Sequence, residues 1–175
     1  MHVWPILLGL LQSSQPNILF VHVDDWGWQD TAVPMHVDTT PLNERYRTPN
    51  MERLAATGTV LTNHHAAAPV CTPTRTSLMT GQSPARTHIT YWTLQKDTDT
   101  SRRHPTVAAP AWNMNGLAGD EPTLPRLLAR AGYTTIHVGK AHFGAHDTPA
   151  ADPTAIGFDV NIAGHASGAP GSYYG

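Results

Sequence analysis

The apolar residues of this chain change their spacing several times, and each change predicts an element. Residues 18–23, with Ile18, Leu19, Phe20, Val21 and Val23, form a short run of β-branched and aromatic side chains, which predicts a buried strand. Over residues 48–58 the spacing becomes helical. Met51, Leu54 and Ala55 make one stripe, Thr48 can cap the start, Pro49 suits the first turn, and Gly58 ends it. Residues 59–63 read as a further strand, and a loop then turns into a short helix at Cys71. Over residues 121–131, Leu124, Leu127, Leu128 and Ala131 again fall at helical spacing, with Pro125 in the first turn and Gly132 at the close. Residues 133–138 alternate as a strand. Strand, helix, strand, helix and again helix, strand predict an α/β fold, with a mainly parallel sheet sandwiched by helices.

Two long stretches, 28–47 and 82–120, are rich in Pro, Thr, His and Trp and show no helical period. They read as loops that shape access to a site. Trp26, Trp28, Trp92 and Trp112 can stack on sugar rings there, or simply pin the loops as buried aromatics.

Charge and composition exclude some classes. Charged residues make up 14%, the formal net charge is −2, and the basic side chains form no run, so nothing points to nucleic acid. The apolar stretch at residues 3–11 is too short to span a bilayer. With Ser13 and Ser14 behind it, it resembles the end of a secretory signal, although no Lys or Arg precedes it. Residues 1–15 are therefore expected to be a signal peptide and 16–175 the domain, exported to the periplasm or secreted. An N-terminal strand packed on the domain is the other reading.

Three segments carry candidate chemistry. Cys71-Thr72-Pro73-Thr74-Arg75 holds the only cysteine, at a helix start whose N–H groups and dipole favour an anion. Arg75 adds a planar cation one turn on. Asp24 and Asp25 follow the first predicted strand. Adjacent carboxylates there suit a hard cation, Ca²⁺ or Mg²⁺, although a solvated Asp-Asp turn has the same pattern. Lys140 and His142 follow the last predicted strand, two residues apart and so facing the same way if extended. A solvated lysine and an incidental histidine would also leave that pattern, since the chain holds 11 histidines.

Taken together, the segments resemble the sulfatase family. Residues 71–75 match its C-x-P-x-R signature, Thr80-Gly81 the Thr-Gly that follows, and Asp24-Asp25 its calcium-binding pair. Residues 139–144 match its G-K-W-H-x-G element, with Ala141 and Phe143 in place of the commoner Trp and Leu. The resemblance implies an alkaline-phosphatase-like fold and hydrolysis of a sulfate ester. It implies that Cys71 is oxidised to formylglycine by a maturase and that its hydrated form, with Asp24 and Asp25, binds the divalent cation. It further implies that Arg75 steadies the nucleophile, Lys140 contacts sulfate, and His142 takes the proton that triggers elimination. His165 is a weaker candidate for a substrate contact. The expected substrate is a sulfated small molecule or glycan, the carbohydrate preference resting on the tryptophans and the exported look.

The family's remaining cation ligands and the acid for the leaving group are expected outside these 175 residues. The chain thus reads as the N-terminal part of the catalytic domain, with little turnover of its own. A phosphonate or phosphodiester hydrolase of the same superfamily, an inactive domain, and a thiol enzyme using unmodified Cys71 are the rival readings.

Overall fold

The computed structural model describes residues 15–101 and 105–172. The predicted signal segment falls outside the described residues, except for Gln15. The chain divides into two compact units, Met1–Val60 and Leu61–Gly175.

In the first unit, residues 18–23 form no strand, and Leu19 and Val21 are 89% and 71% exposed. A strand exists only where a neighbour takes up its N–H and C=O groups in a ladder, and among the described residues the ladder is that of a two-stranded sheet elsewhere in the chain. The predicted loop 28–47 contains a helix, α1 (Pro41–Arg45), set by its cap and not by apolar spacing. Asn43 N donates to Thr40 Oγ1 at 3.3 Å, and Thr40 N donates back to Asn43 Oδ1 at 3.0 Å. Buried Asn43 also donates to Thr31 O at 2.9 Å. Helix α2 (Pro49–Thr57) runs between Thr48 and Gly58 as expected. Thr48, however, makes no side-chain cap; its hydroxyl pairs with Thr31 Oγ1 and accepts from Ala32 N, each at 2.9 Å. No residue of α2 is buried; of its predicted stripe, Met51 and Ala55 are half-buried and Leu54 is exposed.

The second unit begins irregularly. The predicted strand at 59–63 is instead exposed coil and turn, again without a ladder partner. Helices α3 (Cys71–Thr80) and α4 (Pro84–Thr87) follow, α3 closing on left-handed Gly81. Helix α5 (Leu124–Arg130) is shorter than predicted. It buries Pro125, while Leu124 and Leu127 are exposed, and the Thr123 hydroxyl before it donates to Ile156 O.

Strands β1 (Ile136–Val138) and β2 (Val160–Ile162) pair in parallel, His137 opposite Asn161. The crossover carries two 3₁₀ turns, Pro149–Ala151 and Pro153–Ile156. Asp159 anchors the start of β1 by accepting from Thr135 N at 2.7 Å and Thr135 Oγ1 at 2.9 Å, bonds that hold its carboxyl below the usual range. The fold class is thus α/β with a parallel sheet, as expected, though among the described residues that sheet has two strands. Ile136, Val138, Val160 and Ile162 share its exposed face.

The core of this unit consists of Met79, Ile89, Leu117, Ala141, Phe143, Ala150 and Ile156. Ile89 and Leu117 come from the segment predicted as open loop. That segment is pinned by bridges Gln95–His146 and Gly116–Gly144. Trp112 is buried, with its indole N–H on Asp99 Oδ1 at 3.0 Å, so it serves as a pin and not as an open platform.

Candidate active site

Cys71 is the first residue of α3, half-buried, with extended Val70 before it. The helical spacing puts Arg75 one turn along. Arg75 is buried and donates from Nη1 to the carbonyl of Lys140 at 2.5 Å. Lys140 leaves the end of β1 through Gly139, whose φ is +91° and whose N–H bonds Ile162 O at 2.9 Å. From there the Lys140 ammonium reaches Cys71 Sγ at 3.1 Å. Two elements far apart in sequence therefore bring a thiol, an ammonium and a guanidinium together.

His142 is buried, and its backbone has φ +53°. Lys140 and His142 were expected to face the same way along an extended segment, but the segment is not extended there, because Gly139 and His142 both turn the chain into the left-handed region. The His142 N–H donates to His165 O at 3.1 Å, and ring Nε2 lies 2.6 Å from Thr93 O. A carbonyl only accepts, so Nε2 carries the proton and Nδ1 is the basic nitrogen. A Cβ on Gly168 would lie 2.6 Å from His142 Cε1, so only glycine lets this backbone cover the ring. Thr93 is in turn tied to α3, its N–H donating to buried Thr72 Oγ1 at 3.1 Å. The chain of contacts Cys71-Thr72, Thr93, His142 carries the position of the nucleophile to the candidate base.

Thr72→Val keeps the shape but leaves the Thr93 N–H buried without its acceptor. The expected result is a loss of about 1–3 kcal/mol, read as a lower urea midpoint with unchanged slope.

His165 is exposed, and its ring Nδ1 accepts from Ser167 N at 2.9 Å. Its carbonyl, rather than its ring, supports His142. Asp24 and Asp25 lie on a turn of the first unit, Asp24 half-buried and Asp25 exposed with φ +53°. Their hard oxygen donors fit Ca²⁺ or Mg²⁺ in kind. Among the described residues, no group of three or more His, Cys, Asp or Glu that could hold a metal ion assembles. Sequence reasoning missed Thr72, Thr93 and Gly168. Thr72 sits inside the cysteine segment and was open to notice; Thr93 and Gly168 act through backbone and left no signal.

No helix among the described residues is long and apolar enough to cross a membrane. The Sulfatase family model matches residues 16–169. The chain is similar to N-acetylgalactosamine-6-sulfatase of Mus musculus, 36% identical over 155 residues, covering 87% of this chain and 26% of the relative. It is also similar to steryl-sulfatase of Homo sapiens, 39% identical over 132 residues, covering 75% of this chain and 20% of the relative. Among solved structures, that of Ps i-CgsB superposes with TM-score 0.55 and 28% identity, over 81% of this chain and 26% of that one. The same values hold for Ps i-CgsB in complex with k-i-k-neocarrahexaose. The chain spans about a quarter of the length of these relatives.

Proposed function

Because the chain belongs to the sulfatase family, we propose that it carries the nucleophile and cationic groups of a sulfuric ester hydrolase, with Cys71 matured to formylglycine. The observation behind this reading is the Lys140 ammonium 3.1 Å from Cys71 Sγ, at the amino end of α3. Once formed, formylglycine would supply two hydroxyls on one carbon, one to take sulfur as the ester alcohol leaves with a proton, the other to lose its proton and expel sulfate as the carbonyl returns. Lys140 sets a point charge beside the nucleophile and the sulfate oxygens. Arg75, held by its bond to the Lys140 carbonyl, steadies the negative oxygen of the nucleophile. His142, with its proton fixed on Nε2 by Thr93, offers Nδ1 as proton acceptor. Asp24 and Asp25 would be oxygen ligands of a divalent cation, whose chemistry would be charge neutralisation.

The substrate we infer is a sulfated carbohydrate. One relative is named for a sulfated amino sugar, and one structural neighbour is seen with an oligosaccharide. Trp26 and Trp28 are exposed at 36% and 52%, which suits stacking on a sugar. A formylglycine-generating maturase would be the partner in maturation, and the apolar residues 3–11 favour export.

The test is a pair of rates on an aryl sulfate and the matched aryl phosphate, for protein carrying this chain with Cys71 converted. A clear preference for sulfate is expected. Preference for phosphate would move the assignment to the phosphodiester or phosphonate hydrolases, and turnover without conversion would move it to a thiol enzyme.

A further inference from the structure

The middle residue of β1 faces inward while its two neighbours face out, and that residue is His137. Its ring lies edge-on to Phe143 and Phe158, centroids 5.5 and 5.3 Å away. Its Nδ1 is buried without a hydrogen bond. A Cβ on Gly164 would stand 2.7 Å from that nitrogen, so the backbone closes over it. The ring also hydrogen-bonds the backbone of Lys140, in the sense that favours a charged ring, so the ring donates and the carbonyl accepts. That same carbonyl receives the guanidinium of Arg75 at 2.5 Å. Both groups therefore grip the peptide from which the Lys140 ammonium reaches Cys71.

We infer that His137 is a positioning residue: its neutral ring, donating to the Lys140 carbonyl beside Arg75, fixes the backbone that aims Lys140 at Cys71. This rests on the proposed function only for its catalytic meaning; the geometry concerns the thiol as it stands. Burial foremost, and then the Arg75 charge, push the imidazole below its ordinary 6.5, with Asn161 and the Lys140 backbone opposing. The charged groups around the ring are few. Helix α3 presents Arg75, and the segment after β1 presents Lys140, whose ammonium is turned to Cys71. Strand β2 presents neutral Asn161, which bonds exposed Asp152 at 3.2 Å, and Phe143 and Phe158 bring no charge. The linkage sign follows. The unfolded state binds the proton first, so His137 stabilises the fold above pH 6.5, and this contribution is lost as pH falls through the lowered folded value.

The experiment follows alkylation of the unconverted Cys71 thiol by iodoacetamide from about pH 5 to 8. It compares wild type, His137→Gln, which keeps a donor but does not titrate, and His137→Phe, which keeps the aromatic packing alone. Wild type should show an acid-side drop beyond the ordinary pH trend, and His137→Gln should remove that drop while retaining the rate at the upper end. His137→Phe should be slower by about fivefold throughout. Because no sulfate ester is involved, failure here leaves the hydrolase reading intact, and failure of that reading leaves this result intact. Wild-type alkylation in His137→Phe, or the same acid drop in His137→Gln, would overturn the inference. Should a variant misfold, long-range ¹H–¹⁵N spectra of wild-type histidine rings decide alone. An Nε2–H tautomer titrating below 6.5 supports it, and an Nδ1–H tautomer or a higher value overturns it.

Discussion

Lys140→Ala is expected to lower kcat/KM on an aryl sulfate by about 10²–10³-fold. The substitution removes the ammonium 3.1 Å from the nucleophile position and leaves the Lys140 carbonyl in the grip of Arg75. The fold should therefore hold, with stability within about 1 kcal/mol of wild type by urea titration. Lys140→Arg should recover only part of the rate. A planar guanidinium fork cannot take the place of a compact ammonium point charge held 3.1 Å from Cys71 Sγ. A loss below tenfold in Lys140→Ala would show that the ammonium lies beside the reacting centre without acting on it.

The largest structural effect is expected from Gly116→Ala. Gly116 has φ +82°, and a Cβ there would stand 2.3 Å from Phe143 O and 2.5 Å from Gly144 Cα. Both are backbone atoms and cannot swing away. Relief requires parting the Gly116–Gly144 bridge and the adjacent bond from Leu117 N to Phe143 O at 3.1 Å. Leu117 and Phe143 belong to the core, so the damage spreads there. We expect a loss of about 3–5 kcal/mol in the second unit, measured by denaturant unfolding. Gly81→Ala is the control. Its φ is +67°, but nothing lies within 4 Å of the added Cβ, so only the left-handed conformation costs, about 1 kcal/mol.

These two residues also mark what could be read from the chain beforehand. Lys140, Cys71 and Arg75 were legible because their segments carry unusual residue types at short, fixed spacing. The helices at Pro49–Thr57 and Leu124–Arg130 were legible through Pro at the first turn and Gly at the end. Gly116 was not, since its role depends on an approach by residues 143–144 that spacing cannot reveal. The apolar run 18–23 was legible as a strand by type but takes up no ladder, because pairing is decided by a neighbour and not by the run itself. Helix α1 escaped for the opposite reason: one turn held by Thr40 and Asn43 has no period to detect. His142 was identified by type, yet its orientation comes from Thr93 and Gly168, which are remote in sequence.

The central claim is that Cys71 is set among cations because it is made into an aldehyde. The most direct measurement is the mass of the tryptic peptide containing Cys71, after co-expression with a formylglycine-generating maturase. The account predicts a peptide lighter by roughly 18 Da, reactive with hydrazides and inert to iodoacetamide. A peptide of unchanged mass that is fully alkylated would contradict it.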